Sequence, residues 1–247
     1  MIRSRSNRAL AAAGAFALSA PVLAAGGLTA AADEPVSSYR VTIVNTTAGQ
    51  PFSPPVVATH SRDVDLFEVG ERASTEIAAI AQSGDESGAV ALLDSLGEAV
   101  TSVERGAPSR PLAGLNGPPS VQTVDVKAHP DDVLSLATML ICTNDGFTGV
   151  DSIALPEAGT TVVPLRGYDA GVERNTQRSR DIVDPCSLLG PVVLSGDDNG
   201  NNDGRPVAHR WARPITEHRT TNPRRGDLRS AHDWRGQVGV VLVEKTS

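Results

Sequence analysis

The chain has 247 residues, 29 of them acidic and 22 basic, for a formal net charge of −7. That balance argues against a nucleic-acid binder, which carries a clustered basic face. Aromatic residues make up only 3%, so the core must rest on Val, Leu, Ile and Ala.

Residues 1–32 read as a signal peptide. Arg3, Arg5 and Arg8 form a positive head, Ala9 to Ala25 an apolar stretch, and Thr29-Ala30-Ala31-Ala32 a cleavage site before Asp33. The stretch is too weakly hydrophobic for a membrane span of about 20 residues. Residues 33–247 then hold 19 basic against 29 acidic residues, and their length suits one large all-β domain better than two domains. The expected product is secreted and extracellular, with no membrane insertion after cleavage. Its two cysteines, Cys142 and Cys186, read as one disulfide in an oxidising compartment.

Tyr39 to Asn45 alternates with β-branched residues and predicts a strand. Thr46 to Pro55 is turn chemistry. Ser74 can cap a short helix through Ala81, and Asp85 or Ser87 a second one through about Val100, with Val90, Leu93 and Leu96 on one face. Arg105 to Ser120, rich in proline and glycine, predicts a loop. Strands are expected at Val121 to Lys127, Val133 to Cys142, Val150 to Leu155, Thr160 to Leu165 and Val238 to Glu244, the last placed centrally because it is continuously apolar. Asn175 to Arg235 is polar, arginine-rich and weakly patterned, and reads mostly as long loop. Short strands without βαβ alternation predict an antiparallel β-sandwich with a short helical insertion.

Three carboxylates stand out. Asp125 lies inside a strand, where Asp is disfavoured. Asp145 sits in a turn with Asn144 and Gly146, and Asp169 in the turn Tyr168-Asp169-Ala170-Gly171. If those strand ends meet, the acids repel one another unless a cation such as Ca²⁺ neutralises them. From spacing alone, Asx-turns or solvated surface charges explain them as well.

The segment TNDGFTGVDSIAL (143–155), followed by YDAG (168–171), resembles the paired signature of the spondin N-terminal domain found in F-spondin and mindin. YRVTIVNTTAGQPFSP, GERASTEIAAIAQSGDESGAVALL and the closing HDWRGQVGVVLVE are similar to further segments of that family's bacterial members. The resemblance implies an all-β fold, a C2-like antiparallel β-sandwich of about eight strands, binding one Ca²⁺ through Asp125, Asp145 and Asp169. Asp125 would replace a Glu of the family, and Asp151 would be a turn residue that stabilises the fold. The turn Thr-Asn-Asp-Gly departs from the Pro- and Trp-containing version of animal members, and 205–230 lacks a Gly- and His-rich run.

Two other constellations compete. Ala128-His129-Pro130-Asp131-Asp132 resembles a segment of zinc-dependent deacetylases, in which metal-activated water attacks an amide; the bland reading is a tight turn between two strands. Asp197 to Gly204 has the oxygen-rich composition of a Ca²⁺ loop without the glycine and glutamate positions of an EF-hand. No G-x-S-x-G, Walker loop or G-x-G-x-x-G occurs after the signal. The expected role is therefore a secreted, non-catalytic Ca²⁺-binding domain in adhesion or ligand binding, its partner an extracellular protein or glycan, with a secreted zinc amide hydrolase as the alternative.

Overall fold

The computed structural model describes residues 3–4, 35–111, 120–183, 186–187, 208, 210–219, 221 and 226–247. Apart from β1 (Arg3–Ser4), which pairs with β4 (Val64–Asp65), the expected signal peptide lies outside the described residues. So does the acidic loop 197–204.

The fold is all-β and antiparallel, as expected. Its main sheet runs β5 (Val100–Arg105), β3 (Val56–His60), β7 (Val133–Met139), β8 (Gly146–Ala154), β9 (Thr160–Asp169), β11 (Gln237–Lys245), β2 (Ser37–Asn45) and β6 (Val121–Ala128), with β10 (Thr216–Glu217) added to β9. The outer strands β5 and β6 approach each other and nearly close the sheet into a barrel. Thr59 Oγ1 of β3, the strand next to β5, donates to the Lys127 carbonyl of β6.

Strand β11 is central, between β9 and β2, as its unbroken apolar run predicts. Strand β6 alternates exposed and buried residues, so Val124, Val126 and Ala128 point inward onto Val41, Ile43, Leu134, Leu136, Val241 and Val243. Strands β3 and β7 are buried along their whole length because two short helices cover their outer face. Helix α1 (Thr75–Ser83) is capped by Ser74, whose Oγ accepts from Ile77 N at 3.1 Å. Helix α2 is Ser87–Asp94. Their Ile77, Ile80, Ala89 and Leu93 pack on Val56, Ala58 and Ala137, each large side chain contributing about 2 kcal/mol of burial.

Two expectations are corrected here. The second helix stops at Asp94 instead of continuing to Val100: Gly97 takes a left-handed φ of 57° and the chain re-enters the sheet as β5. The buried strand β3 was not anticipated at all. The disulfide is present as expected, joining Cys142 to Cys186 across 44 residues. A small cluster of Met139, Ile141, Ile182 and Leu228 packs around it. No helix of the described residues is long and apolar enough to cross a membrane.

Candidate metal centre

Antiparallel pairing of β8 and β9 puts Gly146 opposite Asp169, so the turn before β8 and the end of β9 share one end of the barrel. Thr143 builds that turn: its Oγ1 donates to the Leu140 carbonyl at 2.7 Å and accepts from Gly146 N at 2.8 Å. Asn144 ties the turn to the following loop, accepting from Gln177 N at 3.0 Å and donating to the Asp181 carbonyl at 3.1 Å. The Asp145 carbonyl accepts from Ala170 N at 3.0 Å. The two signature segments are thereby laced together.

Asp145 is fully buried. Its Oδ2 accepts from Val172 N at 2.8 Å and Glu173 N at 2.7 Å. Its Oδ1 is also buried and has no hydrogen-bond partner. Burial first, then the neighbouring Asp169 and Glu173 charges, pushes the Asp145 carboxyl up to about 7, against the pull of the two backbone donors. Asp169 accepts from Gly171 N and from the Asn175 side chain. Glu173 is buried and accepts from Gln82 Nε2 of α1 at 2.7 Å.

Three acids thus crowd one end of the barrel, two of them buried. Of the three acids expected to converge, Asp145 and Asp169 are neighbours, and Glu173 stands beside them. Asp125 does not join Asp145 and Asp169. Register carries it across β2 and β11, through Arg40 and Glu244, to Thr160 at the start of β9. Asp169 stands nine residues further along that strand, roughly 30 Å at the usual strand rise. The Asp125 side chain is 74% exposed and pairs with Arg40 Nε at 3.3 Å. The strand's alternation explains why: Val124 and Val126 take the inward positions, so Asp125 faces solvent.

Glu173 is the acid that sequence reasoning missed. Its signal was a glutamate four residues beyond Asp169, in a segment with no strand periodicity to mark it as buried.

Asp151 acts as a fold-stabilising residue, as expected. Its Oδ1 accepts from Leu66 N at 2.6 Å, Phe67 N at 3.3 Å and Ser135 Oγ at 3.1 Å, and its Oδ2 from Ser152 Oγ at 3.0 Å. Burial raises its carboxyl too, but each of its oxygens has a donor.

Among the described residues, only Cys142, Cys186 and His232 bring three ligating atoms within 4.8 Å of one another. The two sulfurs are bonded to each other, and His232 Nδ1 accepts from Arg229 N at 3.1 Å, so this trio is structural. The carboxylate oxygens of Asp145, Asp169 and Glu173 do not all come within that distance of one another. A cation there would be completed by carbonyl and water oxygens, which suits Ca²⁺ with its about six to eight ligands. The orphaned Oδ1 of Asp145 fits such an ion, since a buried carboxylate oxygen left without a partner is costly.

The zinc-hydrolase alternative finds no support. His129 lies at the turn between β6 and β7 with Asp131 in a left-handed conformation (φ 71°). It lines a cleft of about 580 Å³. Asp132 Oδ2 accepts from His129 N at 2.8 Å and Thr101 Oγ1 at 2.6 Å, which closes the turn in the way a structural Asx-type turn does.

A family model described as Spondin_N matches residues 44–181, more than half of the chain. The chain belongs to the Spondin_N family. Both signature segments and all three crowded acids lie inside the match. Spondin_N domains form a non-catalytic extracellular family, in keeping with the disulfide. No curated protein matches the chain.

Proposed function

We propose that this Spondin_N chain is a secreted, non-catalytic domain that holds one Ca²⁺ at the Asp145 end of its barrel and serves adhesion or ligand binding outside the cell. Asp145 and Asp169 are the ligands the reading keeps, Glu173 replaces Asp125 beside them, and backbone carbonyls and waters complete the shell. The observation that carries the reading is the buried, partnerless Oδ1 of Asp145, set among two other carboxylates. Ca²⁺ would neutralise that repulsion and pin the 143–146 turn to the 169–173 loop. Its role would be structural, leaving neighbouring loops to meet a partner.

Melting curves of the protein in Ca²⁺ and in EDTA test this, with Glu173→Gln alongside. The wild type should melt higher in Ca²⁺, by about 2.7 kcal/mol of added stability at a hundredfold excess over Kd. Glu173→Gln should show a smaller gain. Equal melting of wild type in Ca²⁺ and EDTA would sink the reading.

A further inference from the structure

Beside Asp169 a cleft of about 420 Å³ opens, lined by Gly171, Arg174, Asn175, Arg213 and Thr216. Two separate segments meet there. Arg213 N donates to the Gly171 carbonyl at 2.8 Å. Gly171, at φ 71°, allows the approach, because a Cβ would sit 2.6 Å from the Arg213 carbonyl oxygen. Arg174 and Arg213 are both exposed. Among the described residues, no carboxylate pairs with either. Asp169 also lines the cleft, its Oδ1 accepting from Gly171 N and its Oδ2 from the Asn175 side chain.

Two residues before Arg213, Trp211 is 76% exposed, the largest exposure among the large apolar side chains of the described residues. Arg210 lies over its ring, 5.9 Å from the centroid. The setting is unusual for so acidic a chain. Twelve of the 22 basic residues, all arginine, fall between 166 and 235, against ten of the 29 acidic ones.

We propose that this cleft binds the carboxylate of an acidic saccharide, a uronic-acid unit, clamped by Arg174 and Arg213 with Trp211 against the sugar ring. Guanidinium forks match a carboxylate with two parallel hydrogen bonds. Trp211, outside the cleft lining but two residues from Arg213 in the chain, offers an exposed aromatic contact surface. Beside the arginines the cleft offers Asn175, Thr216 and Asp169, hydrogen-bonding groups for the hydroxyls of a saccharide. The inference rests on the Ca²⁺ reading for one property only: without the cation, the three acids nearby would repel the ligand's carboxylate over about 8 Å. Binding is therefore stronger in Ca²⁺ than in EDTA.

The test is calorimetric titration of the protein with a hexasaccharide of alternating glucuronate and N-acetylglucosamine. Controls are its methyl ester, a hexaglutamate peptide and a sulfated hexasaccharide. The proposal expects binding of the free acid, its loss in the ester, and weaker binding of the other two. Arg174→Gln and Arg213→Gln should each weaken binding about tenfold or more, the size of a lost charge-assisted hydrogen bond, and Trp211→Ala less. All three variants should keep the wild-type response of melting to Ca²⁺, which distinguishes a lost ligand contact from a lost fold. Undiminished binding in the arginine variants, or equal binding of hexaglutamate, would overturn the proposal. Absence of saccharide binding while Ca²⁺ still raises the melting temperature would overturn it and leave the cation site standing. Arginine-dependent binding in a protein that takes no Ca²⁺ would keep the cleft and remove the cation site.

Discussion

The two ends of β8 hold the same residue type in opposite states. Asp145 precedes the strand and Asp151 lies near its far end. Both are largely buried, and burial raises both carboxyls. Asp151 spends both oxygens on four donors and fixes Leu66, Phe67, Ser135 and Ser152. Asp145 spends one oxygen on two backbone donors and leaves the other bare, facing a neighbourhood of further acid. A buried carboxylate is thus no sign of a ligand site by itself. What separates a structural acid from a binding one is whether its lone pairs are already used.

The largest expected effect breaks the structural end. Asp151→Ala leaves the Leu66 and Phe67 amides and the Ser135 hydroxyl without their acceptor, and should cost roughly 3 kcal/mol or more by the usual penalty for unsatisfied groups. Chemical denaturation should register that loss equally in Ca²⁺ and EDTA. A loss that depends on Ca²⁺ would move the site to the wrong end of β8.

Asp145→Asn should behave in the opposite way. The amide oxygen can still accept from Val172 and Glu173, while the charge repulsion is gone. In EDTA near pH 7.5 the variant should equal the wild type or exceed it by about 1 kcal/mol, and it should gain nothing from Ca²⁺. Strong destabilisation in EDTA would make Asp145 a structural acid like Asp151.

The same carboxyl sets a pH dependence. Its folded pKa, about 7, lies above the unfolded value of about 4, so between those values the native state holds a proton that the unfolded chain has released. The contribution of Asp145 is therefore fully present below pH about 4 and is lost as pH rises through about 7, with a slope of at most about 1.4 kcal/mol per pH unit. Melting in EDTA across that window should show the decline, and Asp145→Asn should flatten it. A wild-type curve as flat as the variant's would contradict the crowding of charge at this end.

The smallest effect concerns Asp125. Its pairing with Arg40 is solvent-exposed, so Asp125→Ala should change stability by less than about 0.5 kcal/mol and leave the Ca²⁺ response intact. Loss of that response would return Asp125 to the ligand set.

Strands that follow the alternation of Val, Ile and Thr were legible in the sequence, and so was the turn chemistry that holds Asp145 and Asp169. Strand β3 was not, because its five residues follow two prolines and are buried on both faces, which removes the period that marks a strand. Strand β5 was also missed: Val90, Leu93 and Leu96 extend a helical period up to its first residue, Val100, and its half-buried residues carry no clear alternation. At the site, Asp125 misled because an acid in a strand reads as functional, whereas its inward neighbours Val124 and Val126 already placed it on the solvent side. Glu173 was silent for the opposite reason. Its burial comes from contacts that no local pattern records: Asp145 across the end of the barrel and Gln82 from α1.

The most direct test of the central claim is Ca²⁺ titration near pH 6.5, in two buffers of different ionisation heat, of wild type and Asp145→Asn. The account predicts one Ca²⁺ per wild-type chain, bound with release of a proton from Asp145, and no binding to the variant. A wild type that takes up no Ca²⁺, or a variant that binds it equally well, would contradict it.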